Sequence, residues 1–293
     1  MTQLVQALVL GLLIGGVYAL MASGLTLIFG VMNIINVAHG ALLILVAFVT
    51  WKTWSVTGID PILLSIIMTP VMFGVGWLLY KGVLSRISGS SPGMSVLLTF
   101  GIAITIEGIL NVTAGNRFRS ATPSYFSESY RLFGISLPKA QVYGCLAAVI
   151  VLGLLYVVLA KTWTGRAIRA TAQNASGAAL VGIQSAAVAA LAFAIGTATT
   201  GVGGSILSVL YPFFPASHYD WISRLLGIIV LGGMGSLAGA LVGALILGLA
   251  ETLTATYGSL QWSTLIFYAV IMLVLLFRPQ GLFGSRLRQD VMA

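Results

Sequence analysis

Asn33, Asn36 and His39 follow one another at three-residue intervals inside a long apolar run. That interval sets them along one side of a helix, or at the mouth of a break in one. Polar side chains at membrane depth face a protein interface or an aqueous path. The triplet therefore reads either as the polar lining or pivot of a pathway, or as a set of interhelical hydrogen bonds. Metal binding by His39 is not expected, because no second His, Cys or carboxylate stands at ligand spacing. Glu107, in FGIAITIEGIL, and Glu251, in LGLAETL, are the two carboxylates within predicted spans. A proton-coupled carrier uses such an acid as a relay, whereas a passive permease holds it by hydrogen bonds at a subunit contact or a vestibule. The structural role is expected for both, with Glu251 close enough to its span end to be hydrated. The stretch HYDWISR, His218 to Arg224, puts both signs of charge beside aromatics; a solvated loop is expected there rather than a docking point for an external partner.

Enzymatic chemistry finds no footing. There is no G-x-x-x-x-G-K-[ST] loop, so the chain does not itself hold ATP in the Walker manner. No Ser, His and Asp fall in a recognisable catalytic order. The single cysteine, Cys145, rules out an internal disulfide or a cysteine metal cluster.

What must position these residues is a bundle of membrane spans. Hydrophobic residues make up 59% of the chain and charged ones 7%, with a mean hydropathy of +1.06, which excludes a soluble catalytic domain. Apolar runs of about 20 residues recur along the whole length. The expectation is all-α: one polytopic transmembrane bundle, 1–293, of about eight spans. They are placed at 3–22, 26–54, 62–84, 93–113, 141–160, 184–210, 222–257 and 262–278. The first Lys or Arg is Lys52, so the apolar start reads as a retained first span rather than a cleaved signal. The second and seventh runs look interrupted, by Gly30 to Gly40 and by Gly232 to Gly239, where Gly232, Gly233 and Gly235 cluster. Paired interruptions suggest discontinuous helices beside a translocation route; glycine-rich spans also arise from close helix packing alone. The 184–210 run invites a tilt, or a break near Gly201, Gly203 and Gly204.

The net charge of +8 does not suggest nucleic-acid binding, because Lys and Arg lie largely in short connections, where they set topology and meet anionic headgroups. Arg278, Arg286 and Arg288 place the C-terminus inside, as do Lys161, Arg166 and Arg169 for the central connection. Residues 114–140 and 211–221 then fall outside, despite four basic residues in the former. The central stretch, KTWTGRAIRATAQNASGAALVGI from Lys161 to Ile183, is too polar for hydrocarbon. Good helix formers without Pro from Arg166 to Leu180 predict a short surface helix. Held between two spans, such a helix can transmit a push.

Four ordered stretches, GLTLIFGVMNIINVAHGAL, TGRAIRATAQNASGAALVGI, VLGGMGSLAGALVGA and RPQGLFG, resemble the membrane subunits of branched-chain amino-acid ABC importers over nearly the whole chain. The resemblance implies a permease, multi-pass in the cell (inner) membrane. It would pair with a second homologous permease, two cytoplasmic ATPases that carry ATP and Mg²⁺, and an extracytoplasmic solute-binding protein. No cofactor is implied on this chain. Residues 161–183 would contain the coupling helix, with Gly165, Arg166, Arg169, Gln173, Asn174, Ala178 and Gly182 at the ATPase contact. Ser176 and Gly177 stand where such loops usually carry an acid. Asn33, Asn36, His39, Glu107, Gly232, Gly233, Gly235 and Glu251 would be the pathway candidates. Within the family a urea or short-amide substrate fits as well; outside it, a proton-coupled carrier would put Glu107 or Glu251 at its centre.

Overall fold

In a computed structural model of the chain, residues 2–87, 92–132 and 134–284 are described. Among the described residues eight helices are long and apolar enough to cross a membrane. They are α1 (Thr2–Met32), α2 (Ala38–Thr57), α3 (Pro61–Gly82), α4 (Pro92–Ala114), α5 (Lys139–Lys161), α8 (Ser185–Leu210), α10 (Leu237–Tyr257) and α11 (Leu260–Phe277). Two short helices, α6 (Trp163–Gln173) and α7 (Ala175–Leu180), form an arm at one end of the bundle, and α9 (His218–Gly232) precedes α10. At the other end β1 (Ser129–Leu132) and β2 (Ile135–Pro138) pair as an antiparallel hairpin within 114–140. The all-α expectation holds, and the multi-pass character follows from these apolar helices.

Helix α8 is the axis of the bundle, buried along most of its length. The predicted break at its glycines is absent. Each glycine instead meets a different neighbour: a Cβ on Gly201 would lie 2.7 Å from the backbone of Thr69 on α3, and one on Gly203 3.0 Å from Met21 on α1. On Gly204 it would come within 2.5 Å of the Leu43 carbonyl of α2. Small residues let three helices close on a fourth, so the glycines mark packing here and not a hinge.

Two further boundaries differ from the sequence expectation. Helix α1 runs unbroken for 31 residues, taking the first quarter of the predicted second span. The interruption falls at 33–37, where Asn33 adopts φ +53° and its amide closes the last turn on Phe29; Asn tolerates this left-handed geometry better than most residues. The interruption expected in the seventh span falls at 233–236, between α9 and α10. The predicted surface helix is two helices, because Asn174 leaves helical geometry and its side chain accepts the Gly177 N–H at 2.8 Å, capping α7.

The stretch 211–221 packs into the bundle and is not an open loop. Phe213, Pro215, Ser217, His218 and Trp221 are all buried, and α9 begins inside the bundle. Hence HYDWISR is the first half of a helix, not a solvated segment. Aromatic area is sufficient reason: Phe213 stacks edge-on against Phe48 with ring centres 4.9 Å apart, and Trp221 packs on Tyr18 and Tyr211. Arg286 and Arg288, used to orient the C-terminus, lie outside the described residues.

Candidate functional site

The irregular segment 33–37 climbs back up the bundle. Helix α1 ends at Met32, yet the ring Nε2 of His39 lies 3.1 Å from the carbonyl of Met21, eleven residues and about 16 Å back along α1 at the helical rise. A carbonyl only accepts, so His39 donates through Nε2–H and its Nδ1 carries the lone pair. Non-helical backbone at membrane depth is tolerated where protein surrounds it and satisfies its polar groups. Thr99 on α4 does this: its hydroxyl accepts the Val37 N–H at 3.2 Å and lies 3.3 Å from the Ile35 carbonyl.

The side chain of Asn36 is fully buried, and neither its amide oxygen nor its nitrogen has a partner. The Nδ1 of His39 and the hydroxyl of Thr197 are also buried without a partner. Asn33 is exposed, so the triplet is neither one helix face nor one environment. Buried polar groups without partners cost stability, on the order of 1–3 kcal/mol each, and they concentrate where function requires them. Asn36→Leu is therefore expected to leave the fold as stable as the parent, or more so, while cutting transport at least about tenfold if the amide meets the permeant. Thermal unfolding of the purified variant beside its uptake rate checks both halves.

The two interruptions meet. A Cβ on Gly30, in the last turn of α1, would lie 3.2 Å from the Gly235 carbonyl in the α9–α10 turn. Gly233 and Gly235 have φ of +100° and +85°, a region that disfavours any side chain with a Cβ. Ser236 caps α10 by accepting the Gly239 N–H at 3.0 Å. Gly232 itself faces Gly239 so closely that a Cβ on either would overlap the other's backbone. A further element, unforeseen from sequence, holds this junction. The RPQGLFG stretch folds back so that Leu282 N–H and Phe283 N–H donate to the carbonyls of Leu231 and Gly232 at 2.8 and 3.0 Å. The strap thus satisfies carbonyls that the end of α9 leaves open. A Pro-Gly turn after an apolar helix was the available signal.

Below the junction lies the arm. One face of α6, with Gly165, Ala167, Ile168 and Thr171, is buried. Its apolar members pack with Leu27 and Val31 of α1, Leu159 of α5, Val188 of α8 and Leu237 of α10. Gly165 has no room for a side chain, since a Cβ would overlap the carbonyls of Val158 and Leu159. Arg169 turns back and donates to the Leu159 carbonyl, whereas Arg166 is exposed and stacks over Trp163 at 5.3 Å. Beyond Gln173, α7 stands away from the bundle: Leu180 and Val181 are 90% and 77% exposed, Asn174 is exposed, and Ala178 is the buried member. Gly182, with φ +85°, turns the chain back toward α8.

Both intramembrane carboxylates are engaged. Glu107 accepts from the ring Nε2–H of His218 at 3.0 Å. Glu251 accepts from Tyr18 Oη–H at 2.7 Å and from Arg224 Nη1–H at 2.9 Å, so the expected hydration of this residue is replaced by an ion pair. Tyr211, on the connection between α8 and α9, donates to Tyr18 at 3.2 Å. Burial pushes its phenol up to about 12, so it remains a neutral donor. Phe267 of α11 packs edge-on against Tyr18 and lies under Arg224. One polar cluster thereby ties α1, α9, α10 and α11 together. Among the described residues no group of three or more His, Cys, Asp or Glu is placed to hold a metal ion.

A family described as the permease component of branched-chain amino acid transport systems matches residues 7–275. The chain is 29% identical over 288 residues to the high-affinity branched-chain amino acid transport system permease protein LivH of Escherichia coli (strain K12), covering 94% of this chain and 93% of that protein. It is 29% identical over 297 residues to the corresponding protein BraD of Pseudomonas aeruginosa, covering 95% of each. A probable LivH of Methanocaldococcus jannaschii is 27% identical over 285 residues, covering 90% and 88%. No solved structure matches the chain.

Proposed function

The chain belongs to the family of branched-chain amino acid transport permease components, and on that premise we propose that it carries leucine, isoleucine or valine through the membrane under the drive of partner ATPases. It is a multi-pass membrane permease subunit. In this reading the arm lies in the cytoplasm, the hairpin lies outside, and the C-terminal strap is cytoplasmic. A second permease, two ATPases and an external solute-binding protein complete the importer, with ATP and Mg²⁺ held on the ATPases.

The observation that carries the reading is the arm and what stands on it. The exposed tip of α7 offers Leu180 and Val181 to a cleft on an ATPase, and α6 packs against the last turn of α1 and the first turn of α10. Drawing the tip sideways therefore bears directly on Gly30 and Gly235, where the two interrupted spans touch. Closure of the ATPase dimer shifts these segments and changes which side of the pathway is open, as alternating access requires. Asn36 and His39 supply unpartnered polar atoms at the moving segment, suited to a zwitterion that meets amides rather than a charged pocket. Arg166, exposed beside the tip, adds charge for an acidic group on the ATPase. Glu107 and Glu251, each bound to a basic partner, are occupied as structural anchors, which favours this reading over a proton-coupled carrier.

Radiolabelled leucine uptake into proteoliposomes tests the proposal. They hold this chain with its partner permease and ATPases, with the solute-binding protein outside and ATP within. Uptake at least about tenfold above the ATP-free control is expected, a difference of roughly 1.4 kcal/mol or more in effective barrier. Uptake of urea without leucine would keep the mechanism and overturn the substrate. Uptake by this chain alone, driven by a proton gradient, would overturn the importer reading.

A further inference from the structure

A half-open cavity of about 460 Å³ lies between α1, α5, α6 and α10, with Gly30 and Gly235 of the junction at its edge. Along α1 its lining runs from Ala19 to Val31 and along α5 from Leu152 to Ala160, which at the helical rise is about 18 and 12 Å. That is about the depth of one leaflet, half of a hydrocarbon core about 30 Å thick. Arg169 lines it at the arm end.

The walls are mostly apolar, and the two hydroxyls that α1 contributes are already spent. Ser23 and Thr26 donate to carbonyls of their own helix, Leu20 at 2.7 Å and Ala22 at 2.8 Å. Tyr156 and Arg169 are the other polar side chains of the lining, and with neither an amide nor a carboxylate beside them to receive an amino-acid ammonium, the permeant is the wrong occupant. Arg169 has given one N–H to a neutral carbonyl, and among the described residues no carboxylate lies within ion-pair distance of it. Its charge remains on the cavity lining. Lys161 and Arg166 lie at the same end, and Tyr156 and Trp163, 69% and 72% exposed, flank it as rings do at the headgroup level. An apolar slot one leaflet deep, closed at its headgroup end by an uncompensated cation, is complementary to one kind of molecule.

We infer that this slot holds an acyl chain of an anionic phospholipid, with the phosphate on Arg169. The lipid would wedge between α5 and the pair α1–α10 directly beside the arm. The inference rests on membrane insertion alone and stands whichever solute is carried.

Native mass spectrometry of the full chain tests it, after incubation with dipalmitoyl phosphatidylglycerol in mixed micelles. Retention of about one lipid per chain is expected, falling about fivefold or more in Arg169→Gln through loss of the headgroup charge, with phosphatidylcholine retained less by a similar factor. Ala238→Trp is the second variant. Ala238 is exposed and opens on the slot, so the indole fills the space without displacing packed neighbours, and the same loss is expected. Equal retention by the parent and both variants, or no preference between the two lipids, would overturn the inference. So would displacement of the lipid by added leucine, or a cysteine at position 238 that crosslinks to the partner permease in place of binding lipid.

Discussion

Replacing Leu180 and Val181 together by Asp is expected to reduce ATP-driven uptake more than about tenfold, the largest functional effect of any surface change in this chain. The two side chains are 90% and 77% exposed at the tip of the arm, so their loss leaves nothing unpaired inside the bundle. Substitutions at such positions ordinarily shift stability by no more than about 0.5 kcal/mol. What changes is the docking contact: two carboxylates would have to be desolvated in the ATPase cleft, without partners. Uptake should therefore fall while the chain still folds and inserts, and pull-down of the ATPase should weaken in step. If uptake and ATPase capture both stay at the parental level, the arm is not the coupling element.

Removal of the Glu251 carboxylate gives the largest expected effect on stability. In Glu251→Ala the Arg224 guanidinium stays within the bundle, its side chain about one-fifth exposed, with no other carboxylate within ion-pair distance among the described residues. Breaking one partner of a largely buried pair costs on the order of 3 kcal/mol. The double variant Glu251→Leu with Arg224→Met removes both charges and should recover most of that loss, because the desolvation cost of the pair disappears with it. Denaturant unfolding in micelles, run as a double-mutant cycle, measures the coupling directly. An alanine variant within about 0.5 kcal/mol of the parent would mean that water, not the protein, solvates Glu251.

Consequences for mechanism follow from where the two interruptions lie. Gly30 and Gly235 come from segments about 200 residues apart in the chain, yet they form one contact just above α6. The strap 278–284 is hydrogen bonded to the same turn. Motion of the arm, of the junction and of the strap is therefore coupled through shared backbone contacts and needs no longer pathway.

Much of the site was legible as types of residue and little of it as partnerships. The positions Asn36 and His39 stood out because polar groups in an apolar run are costly. Which of them has a partner could not be read, since His39 bonds to the carbonyl of Met21 on another helix while the Asn36 amide has none among the described residues, and no short-range pattern points to either. Glu107 and Glu251 were recognisable as anchors, but their basic partners sit in HYDWISR, which reads as a solvated loop because its charges and aromatics alternate without an apolar face. It packs inward because its aromatics find partners there, while His218 and Arg224 bond to Glu107 and Glu251 on other helices.

Local chemistry decided the class of the molecule, the number of long spans, the positions of both interruptions and the polar arm, because each rests on hydropathy, glycine or charge within a window of about 20 residues. Tertiary structure alone decided that α1 runs through to Met32, that the glycines of α8 pack rather than bend, that Asn174 splits the arm, and that 211–221 turns inward. Each of these depends on what lies across the contact: a helix continues through glycine when three neighbours close on it, and a charged segment enters a membrane when its opposite charges wait on other helices.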